Sequence, residues 1–233
     1  MIPPISDFNW NKVSQLFGVN RERYQRDFGL PGHNGIDIVS DYNTPIGAVE
    51  DGIIYQIQID DPIHSKGNGI WIKHQNYYTI YWHLSRFNVV IGQQVKAGDI
   101  IGFMGNTGYV FPKPTEENPY AGTHLHFGIW QPEKPLTLNG CIDPTPLFYK
   151  SGDHLRINFY RNLFFGKTGD DVAWLQTCLK IEGFAQDYEP TGNYYLKTQR
   201  DVGELQKKYN IKPSYGFLGL ITRRMLNDKY TGG

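Results

Sequence analysis

The sequence has little of what several common classes of protein require. Only two cysteines, Cys141 and Cys178, occur among 233 residues, which is too few for the disulfide framework of a small secreted domain. Cys178 lies in an apolar helical pattern, so we expect a buried free thiol there, with a disulfide to Cys141 as the alternative. No run approaches the roughly 18 consecutive apolar residues that a membrane span needs.

Net charge and a targeting signal are also absent. The 23 basic and 23 acidic side chains cancel, so no overall charge favours binding to nucleic acid. Residues 1–18 lack the basic start and the apolar run of a secretory signal. We therefore expect a chain that is made as a soluble protein without a leader, and we take it to be a monomer.

Glycine, proline and aromatic residues are abundant instead, as is typical of a turn-rich β protein. Between residues 36 and 130, runs rich in Ile, Val, Tyr and Trp are separated by Gly, Asp, Asn and Pro turns. No helix-length amphipathic segment interrupts them, which favours antiparallel sheets over βαβ units. The predicted strands cover residues 46–49, 52–59, 70–74, 77–83, 99–104 and 124–130. Before them, we predict a short helix or an irregular segment over 10–17 and a charged, solvated segment over 20–28.

The pattern changes after a proline-rich linker at residues 131–158. Capping residues at 168–171 precede apolar residues at helical spacing, and two more helices are predicted over 198–209 and 220–227. We therefore predict a mainly β domain over 1–150, with its core at about 30–148, and a small three-helix domain over 151–233.

Two short motifs carry the residues suited to metal chemistry. In GTHLHFG, residues 122–128, His124 and His126 would point to the same face of a strand. His33 and Asp37, in HNGID, would share a face if that segment is extended, with Gly35 leaving room for a ligand. These two residues and one imidazole of the pair make the N, O, N set of a catalytic zinc site. Each motif is weak evidence when taken alone.

Taken together, the motifs resemble one family over roughly residues 30–130. HNGID, TPIGAVEDGII, GNGIWIKHQNYYTIYWHLS, GQQVKAGDIIGFMGNTG and GTHLHF follow in the order of the lysostaphin-type (LytM-like) zinc metalloendopeptidases. The resemblance implies a β-rich fold with an open groove, one zinc ion, and cleavage of peptide bonds in bacterial peptidoglycan.

The same resemblance implies roles for five side chains. The zinc ligands would be His33, Asp37 and His126, and the catalytic imidazoles would be His124 and His83. We assign His124 as the general base and His83 as the group that stabilises the oxyanion. The remaining histidines are predicted to be structural or surface residues: His64, His74 and His154.

One insertion departs from the family pattern. The family runs almost directly from its Gly-x-Thr-Gly turn into the His-x-His motif, whereas YVFPKPTEENPYA intervenes here at residues 109–121. Long irregular loops beside a site often shape a binding groove. Tyr109, Phe111 and Tyr120 could therefore line the substrate, or they could pack the loop against itself.

The C-terminal helices resemble the three-helix peptidoglycan-binding domain 1 over roughly residues 160–228. The most telling part is Gly216-x-x-Gly219-x-x-Thr222-x-x-x-Leu226. This resemblance implies binding to the wall, which would raise the local substrate concentration without changing the chemistry. A lytic and a wall-binding domain without a leader suggest a phage-type endolysin that reaches the wall through a membrane pore or after lysis.

Two alternatives to a zinc endopeptidase remain open. One is a catalytically inactive wall-binding or regulatory protein on the same fold, because a fold alone does not prove an activity. It is disfavoured, since all five expected positions are kept. The other is a zinc carboxypeptidase of the D-alanyl-D-alanine type, in which the other His and Asp are typically spaced more widely.

Overall fold

The computed structural model describes residues 1–60, 67–131, 140–155 and 157–231. Contacts within the chain divide it into two compact units. The first unit comprises Met1–Ser14 and Gly35–Pro135, and the second comprises Gln15–Asn34 and Leu136–Gly233. The boundary between domains at residue 150 stays a prediction, because contacts within one chain do not establish where an independently folding domain ends.

The first unit is built from antiparallel strands. After a short 3₁₀ helix, Trp10–Lys12, the strands are β1 (Val13–Gln15), β2 (Ile36–Ile38), β3 (Pro45–Gly47), β4 (Gly52–Gln58), β5 (Gly69–Lys73), β6 (Tyr78–Trp82), β7 (Leu84–Phe87), β8 (Gln94–Val95), β9 (Ile100–Met104) and β10 (Leu125–Trp130). The larger sheet has the order β1-β2-β10-β6-β5-β4-β8 and the smaller has the order β3-β9-β7. The predicted mainly antiparallel fold is confirmed.

Burial explains the central place of β6 and β10 in the larger sheet. All five residues of β6 and the first five of β10 are buried, so both faces of these strands are covered. Tyr81 and Phe127 are among the least exposed side chains. The two strands therefore form a rigid support for residues at their ends.

The second unit is mainly helical. Its elements are α1 (Arg21–Phe28), β11 (Cys141–Ile142), α2 (Thr145–Phe148), α3 (Asp170–Ile181), α4 (Leu196–Lys208) and α5 (Leu220–Tyr230). Apolar side chains of α3, α4 and α5 are fully buried, among them Leu175, Leu179, Val202, Leu205 and Leu226. Cys141 and Cys178 are both free and buried. None of the helices in the described ranges is long and apolar enough to cross a membrane.

The region near the N-terminus contains two short elements and a helix. The 3₁₀ turn and β1 cover residues 10–15, where a short helix or an irregular segment was predicted, and the charged segment predicted over 20–28 forms the helix Arg21–Phe28. None of the residues of α1 is buried. The helix therefore has no apolar stripe by which the sequence could reveal it.

Candidate metal centre

Strand β10 brings two of the predicted ligands together. His126 lies opposite Asp37 of β2 on one side and opposite Trp82 of β6 on the other. Directly opposed residues of antiparallel strands project from the same face of the sheet. The imidazole Nδ1 of His126 accordingly lies 3.0 Å from Oδ1 of Asp37.

His33 reaches the same place from just before β2. It is fully buried, and its Nδ1 donates to the carbonyl oxygen of Leu16 at 3.0 Å. That hydrogen bond leaves the lone pair on Nε2, the atom available to a metal. Because only three residues separate His33 from Asp37, the intervening backbone limits how far apart the two can lie.

The three side chains form a cluster that suits one cation. One possible ligand atom from each of His33, Asp37 and His126 lies within 4.8 Å of the other two. Two imidazole nitrogens and one carboxylate oxygen are also the donors of catalytic zinc sites, so the residues present fit the ion.

Gly35 has a different role from the one predicted. A Cβ atom at this position would lie 2.4 Å from the carbonyl oxygen of Phe127 and 2.9 Å from Nε2 of His126. The space beside Gly35 is therefore filled by β10 rather than left free for a ligand. Glycine is needed here so that the backbone can approach His126 closely.

His124 lies immediately before β10. Its backbone N–H donates to the carbonyl oxygen of Gly105 at 3.1 Å, and its Nδ1 donates to the carbonyl oxygen of Gly122 at 2.8 Å. Its Nε2 is 3.9 Å from Oδ1 of Asp37, beyond hydrogen-bond range. His124 therefore presents an acceptor nitrogen next to the carboxylate of the cluster.

His83 is the one residue between β6 and β7, where the chain passes from the larger sheet to the smaller. Its Nδ1 donates to the carbonyl oxygen of Thr107 at 2.8 Å. Its ring centroid is 4.5 Å from that of His124 and 6.3 Å from that of His126. Burial and the two neighbouring imidazoles lower the pKa of His83 to about 3, so the ring is neutral at neutral pH.

The turn after β9 supports both of these imidazoles. Gly105 accepts the backbone hydrogen bond of His124, and Thr107 accepts the ring hydrogen bond of His83. Neither residue was among the predicted site residues. The available signal was the Gly-Asn-Thr-Gly turn at residues 105–108, which was noted only as part of a motif.

The three aromatic residues predicted to line the substrate lie in the 109–121 loop and are exposed. Tyr109 is 39% exposed, Phe111 76% and Tyr120 59%. The ring of Tyr120 lies 4.7 Å from that of Tyr42. Asn106 holds the end of the loop by donating to the carbonyl oxygens of Pro119 and Ala121. Contact between these rings and a substrate stays a prediction.

Two of the remaining histidines can be placed. Nδ1 of His74 is hydrogen-bonded to the carbonyl oxygen of Asp51, and Nε2 to the hydroxyl of Thr79, as expected of a structural residue. His154 is exposed, and His64 lies outside the described residues.

The site thus belongs to a recognisable chemical class. A His-Asp-His donor set lies beside two imidazoles that keep an acceptor nitrogen. Comparison with known proteins shows what this region is similar to: residues 31–138 match the model of Peptidase family M23. The match covers 108 of the 233 residues.

Curated relatives agree with this match. The chain is 36% identical over 124 residues to peptidoglycan DD-endopeptidase ShyC of Vibrio cholerae serotype O1, covering 52% of this chain and 25% of the relative. It is 33% identical over 122 residues to glycyl-glycine endopeptidase ALE-1 of Staphylococcus capitis, covering 52% and 30%. The chain thus spans less than a third of the length of these relatives.

A solved structure is also similar to part of this chain. The catalytic domain of lysostaphin from Staphylococcus simulans is 26% identical, with a TM-score of 0.45, covering 59% of this chain and 93% of that domain.

Proposed function

We propose that this chain is a zinc-dependent endopeptidase that hydrolyses peptide bonds of bacterial peptidoglycan. The observation that carries the proposal is the cluster of His33, Asp37 and His126 within a peptidase family M23 domain, with two more imidazoles beside it. Two relatives named as endopeptidases, one of them of peptidoglycan, support the class of substrate.

The residues divide into metal-holding and proton-handling groups. His33, Asp37 and His126 would hold the ion. When bound there, zinc would supply Lewis-acid chemistry and a water of lowered pKa. His124 would accept a proton at Nε2, because its Nδ1 is committed to Gly122. His83 would stabilise the oxyanion that forms at the scissile carbonyl. This requires the otherwise neutral ring to gain a second proton, at Nε2, at that stage, while its Nδ1 proton stays hydrogen-bonded to the carbonyl oxygen of Thr107.

The second unit would anchor the enzyme to the wall. In support, its surface carries aromatic rings in contact with one another: Phe164 stacks on Phe217 with centroids 5.9 Å apart, and Lys167 Nζ lies 4.8 Å from the centroid of the Phe164 ring. Exposed aromatic groups beside a cation suit a ligand that is partly apolar and partly anionic. Stem peptides of peptidoglycan, with their carboxylates, have this character.

The proposal is tested with purified walls and the intact chain. Metal content is measured, and wall turbidity is then followed with the protein as purified, after chelation, and after zinc is restored. We expect turbidity to fall, chelation to stop the fall, and zinc to restore it. Mass spectrometry of the released fragments identifies the bond that is cut.

Other outcomes would exclude the proposal. Zinc-loaded protein that binds walls but releases no fragment is a wall-binding protein only. Release of single terminal D-alanine residues, without cleavage inside a stem or a cross-link, indicates a carboxypeptidase.

A further inference from the structure

We propose that Asn68 and Thr107 are positioning residues that hold the imidazole of His83 in place. This inference rests on the proposed function, because it concerns the same reaction. The hydrogen bonds of the two side chains join them to backbone groups of Asp60, Asn68 and Leu84 rather than to the metal ligands. Both act on the short segment of backbone that carries His83.

His83 needs such support because its backbone is strained. Its φ is +67°, in the left-handed region that costs residues other than glycine about 1 kcal/mol or more. The residue also links two different sheets, so no ladder of strand hydrogen bonds runs through it. The surrounding groups must therefore fix this conformation.

The hydrogen bonds made by Asn68 and Thr107, which together form a clamp, act first on Leu84, the residue after His83. Its N–H donates to the carbonyl oxygen of Asn68 at 3.1 Å. Its carbonyl oxygen accepts two hydrogen bonds at 3.0 Å, from Nδ2 of Asn68 and from the hydroxyl of Thr107. Both polar groups of the Leu84 backbone are thus held by two residues distant in sequence.

Thr107 joins this clamp to the ring of His83. Its hydroxyl also accepts from the backbone N–H of Asn68 at 2.9 Å, and its own carbonyl oxygen accepts from Nδ1 of His83 at 2.8 Å. A continuous network of hydrogen bonds therefore links the His83 ring, Thr107, Asn68 and the backbone of Leu84. It fixes both the orientation and the tautomer of the imidazole, leaving Nε2 as the nitrogen that can reach a substrate.

The neighbours of Asn68 fix which way its amide points. Its Oδ1 accepts from the backbone N–H of Asp60 at 2.8 Å, so Nδ2 must face the carbonyl oxygen of Leu84. An aspartate here would set a carboxylate oxygen against that carbonyl oxygen. Gly67 completes the arrangement, since a Cβ there would lie 2.4 Å from the carbonyl oxygen of Thr107.

The test compares matched variants of the full chain. Thr107→Val removes the hydroxyl at nearly constant volume and Thr107→Ser keeps it, while Asn68→Asp keeps the shape of the side chain and removes the donor. Asn88→Ala is the control, because Asn88 Nδ2 makes a similar hydrogen bond to the carbonyl oxygen of Ile100 at 2.8 Å in the smaller sheet. Zinc content, kcat and KM on a soluble wall peptide, and histidine ring ¹H–¹⁵N spectra are measured.

We expect kcat to fall about ten- to a hundredfold in Thr107→Val and Asn68→Asp, with KM and zinc content unchanged. Thr107→Ser and Asn88→Ala should keep the activity of the unmodified chain. In the ring spectra, His83 should be a single Nδ1–H tautomer in the unmodified chain and in Thr107→Ser, and a mixture in Thr107→Val.

Three results would overturn the inference: unchanged kcat in Thr107→Val, equal losses in Thr107→Ser and Thr107→Val, or loss of zinc with loss of activity. If the unmodified chain cleaves no wall peptide, the proposed function fails. The ring spectra then decide the positioning role separately, because an unchanged His83 tautomer in Thr107→Val would exclude it.

Discussion

A variant at His124 distinguishes the residues that hold the metal from those that transfer protons. Its Nε2 lies 3.9 Å from Asp37 Oδ1, close enough to act beside the cluster without belonging to it. We expect His124→Ala to lower kcat by a factor of about 10²–10⁴, the usual contribution of a general base, and to keep one zinc ion per chain. Metal analysis and turbidity assays on the same preparation measure both.

Asp37→Ala is the comparison variant, and it should lose zinc and activity together. If His124→Ala also loses its zinc, His124 is a ligand and the assignment of the general base is wrong.

The substitution Gly35→Ala tests how closely the backbone at the start of β2 must approach His126. An added Cβ would meet the carbonyl oxygen of Phe127 at 2.4 Å, so Gly35→Ala must push β2 away from β10 or tilt the His126 ring. We expect about tenfold weaker zinc binding and a loss of about 1–3 kcal/mol in unfolding free energy. Competition with a chromogenic chelator and urea denaturation measure the two effects.

Gly47→Ala is the matched control, because the nearest atom to its added Cβ would be 3.5 Å away. If the two glycine variants bind zinc equally well, the close approach at Gly35 does not matter to the site.

At this scale the sequence predicted which side chains meet at the candidate site but not the groups that orient them. The structure brings His33, Asp37 and His126 into one cluster with His124 and His83 beside it, and each of these has a residue type suited to the chemistry. Their partners are backbone carbonyls of Leu16, Gly122 and Thr107. A backbone carbonyl is the same in every residue, so the sequence carries no sign of it.

Among the helices of the second unit, one carboxylate lies at the meeting point of three helix ends. Glu182 follows α3, and it accepts hydrogen bonds from Lys208 and Tyr209 at the end of α4 and from Lys229 and Tyr230 at the end of α5. Burial raises the pKa of Glu182, but these four partners outweigh it and hold the pKa at about 2.

We expect Glu182→Gln to destabilise the protein by about 2 kcal/mol at pH 7. Since the folded pKa is depressed, the stabilisation is complete above the unfolded value of about 4.5 and is lost as the pH falls towards 2. Urea denaturation at pH 7, 4 and 2.5 should therefore show the difference from the unmodified chain shrinking with acid.

Glu204→Gln provides the control for this series, because Glu204 pairs with Lys207 on an exposed surface and should change stability by less than about 0.5 kcal/mol. If the difference in unfolding free energy between Glu182→Gln and the unmodified chain stays constant with pH, the ionic role of Glu182 is contradicted.

The elements that the sequence revealed are those with a strong apolar pattern. β4, β5, β6 and β10 are long and rich in Ile, Trp and Tyr, and they were found within one or two residues. β2 and β8 have only three and two residues, too few for a period to be visible. Tertiary pairing, not local preference, makes them strands.

On the scale of the whole molecule, the proposed anchor should change where the proposed peptidase works without changing its chemistry. An antiparallel bridge between Leu163 and Leu218 sets Phe164 and Phe217 side by side, 42% and 43% exposed. Linking a wall-binding surface to a peptidase raises the effective concentration of substrate and leaves kcat on a free peptide unaltered.

The double variant Phe164→Ser/Phe217→Ser should therefore bind sedimented walls about tenfold more weakly and clear them more slowly, at an unchanged rate on a soluble wall peptide. Ile91→Ser removes an exposed apolar side chain of the first unit (63% exposed). This control should change neither the binding to walls nor the rate at which they are cleared. Unchanged sedimentation with walls would show that this aromatic pair does not anchor the protein. A lower rate on the soluble peptide would instead mean that the two rings contribute to catalysis, because an anchor acts only on a substrate that is itself attached to the wall.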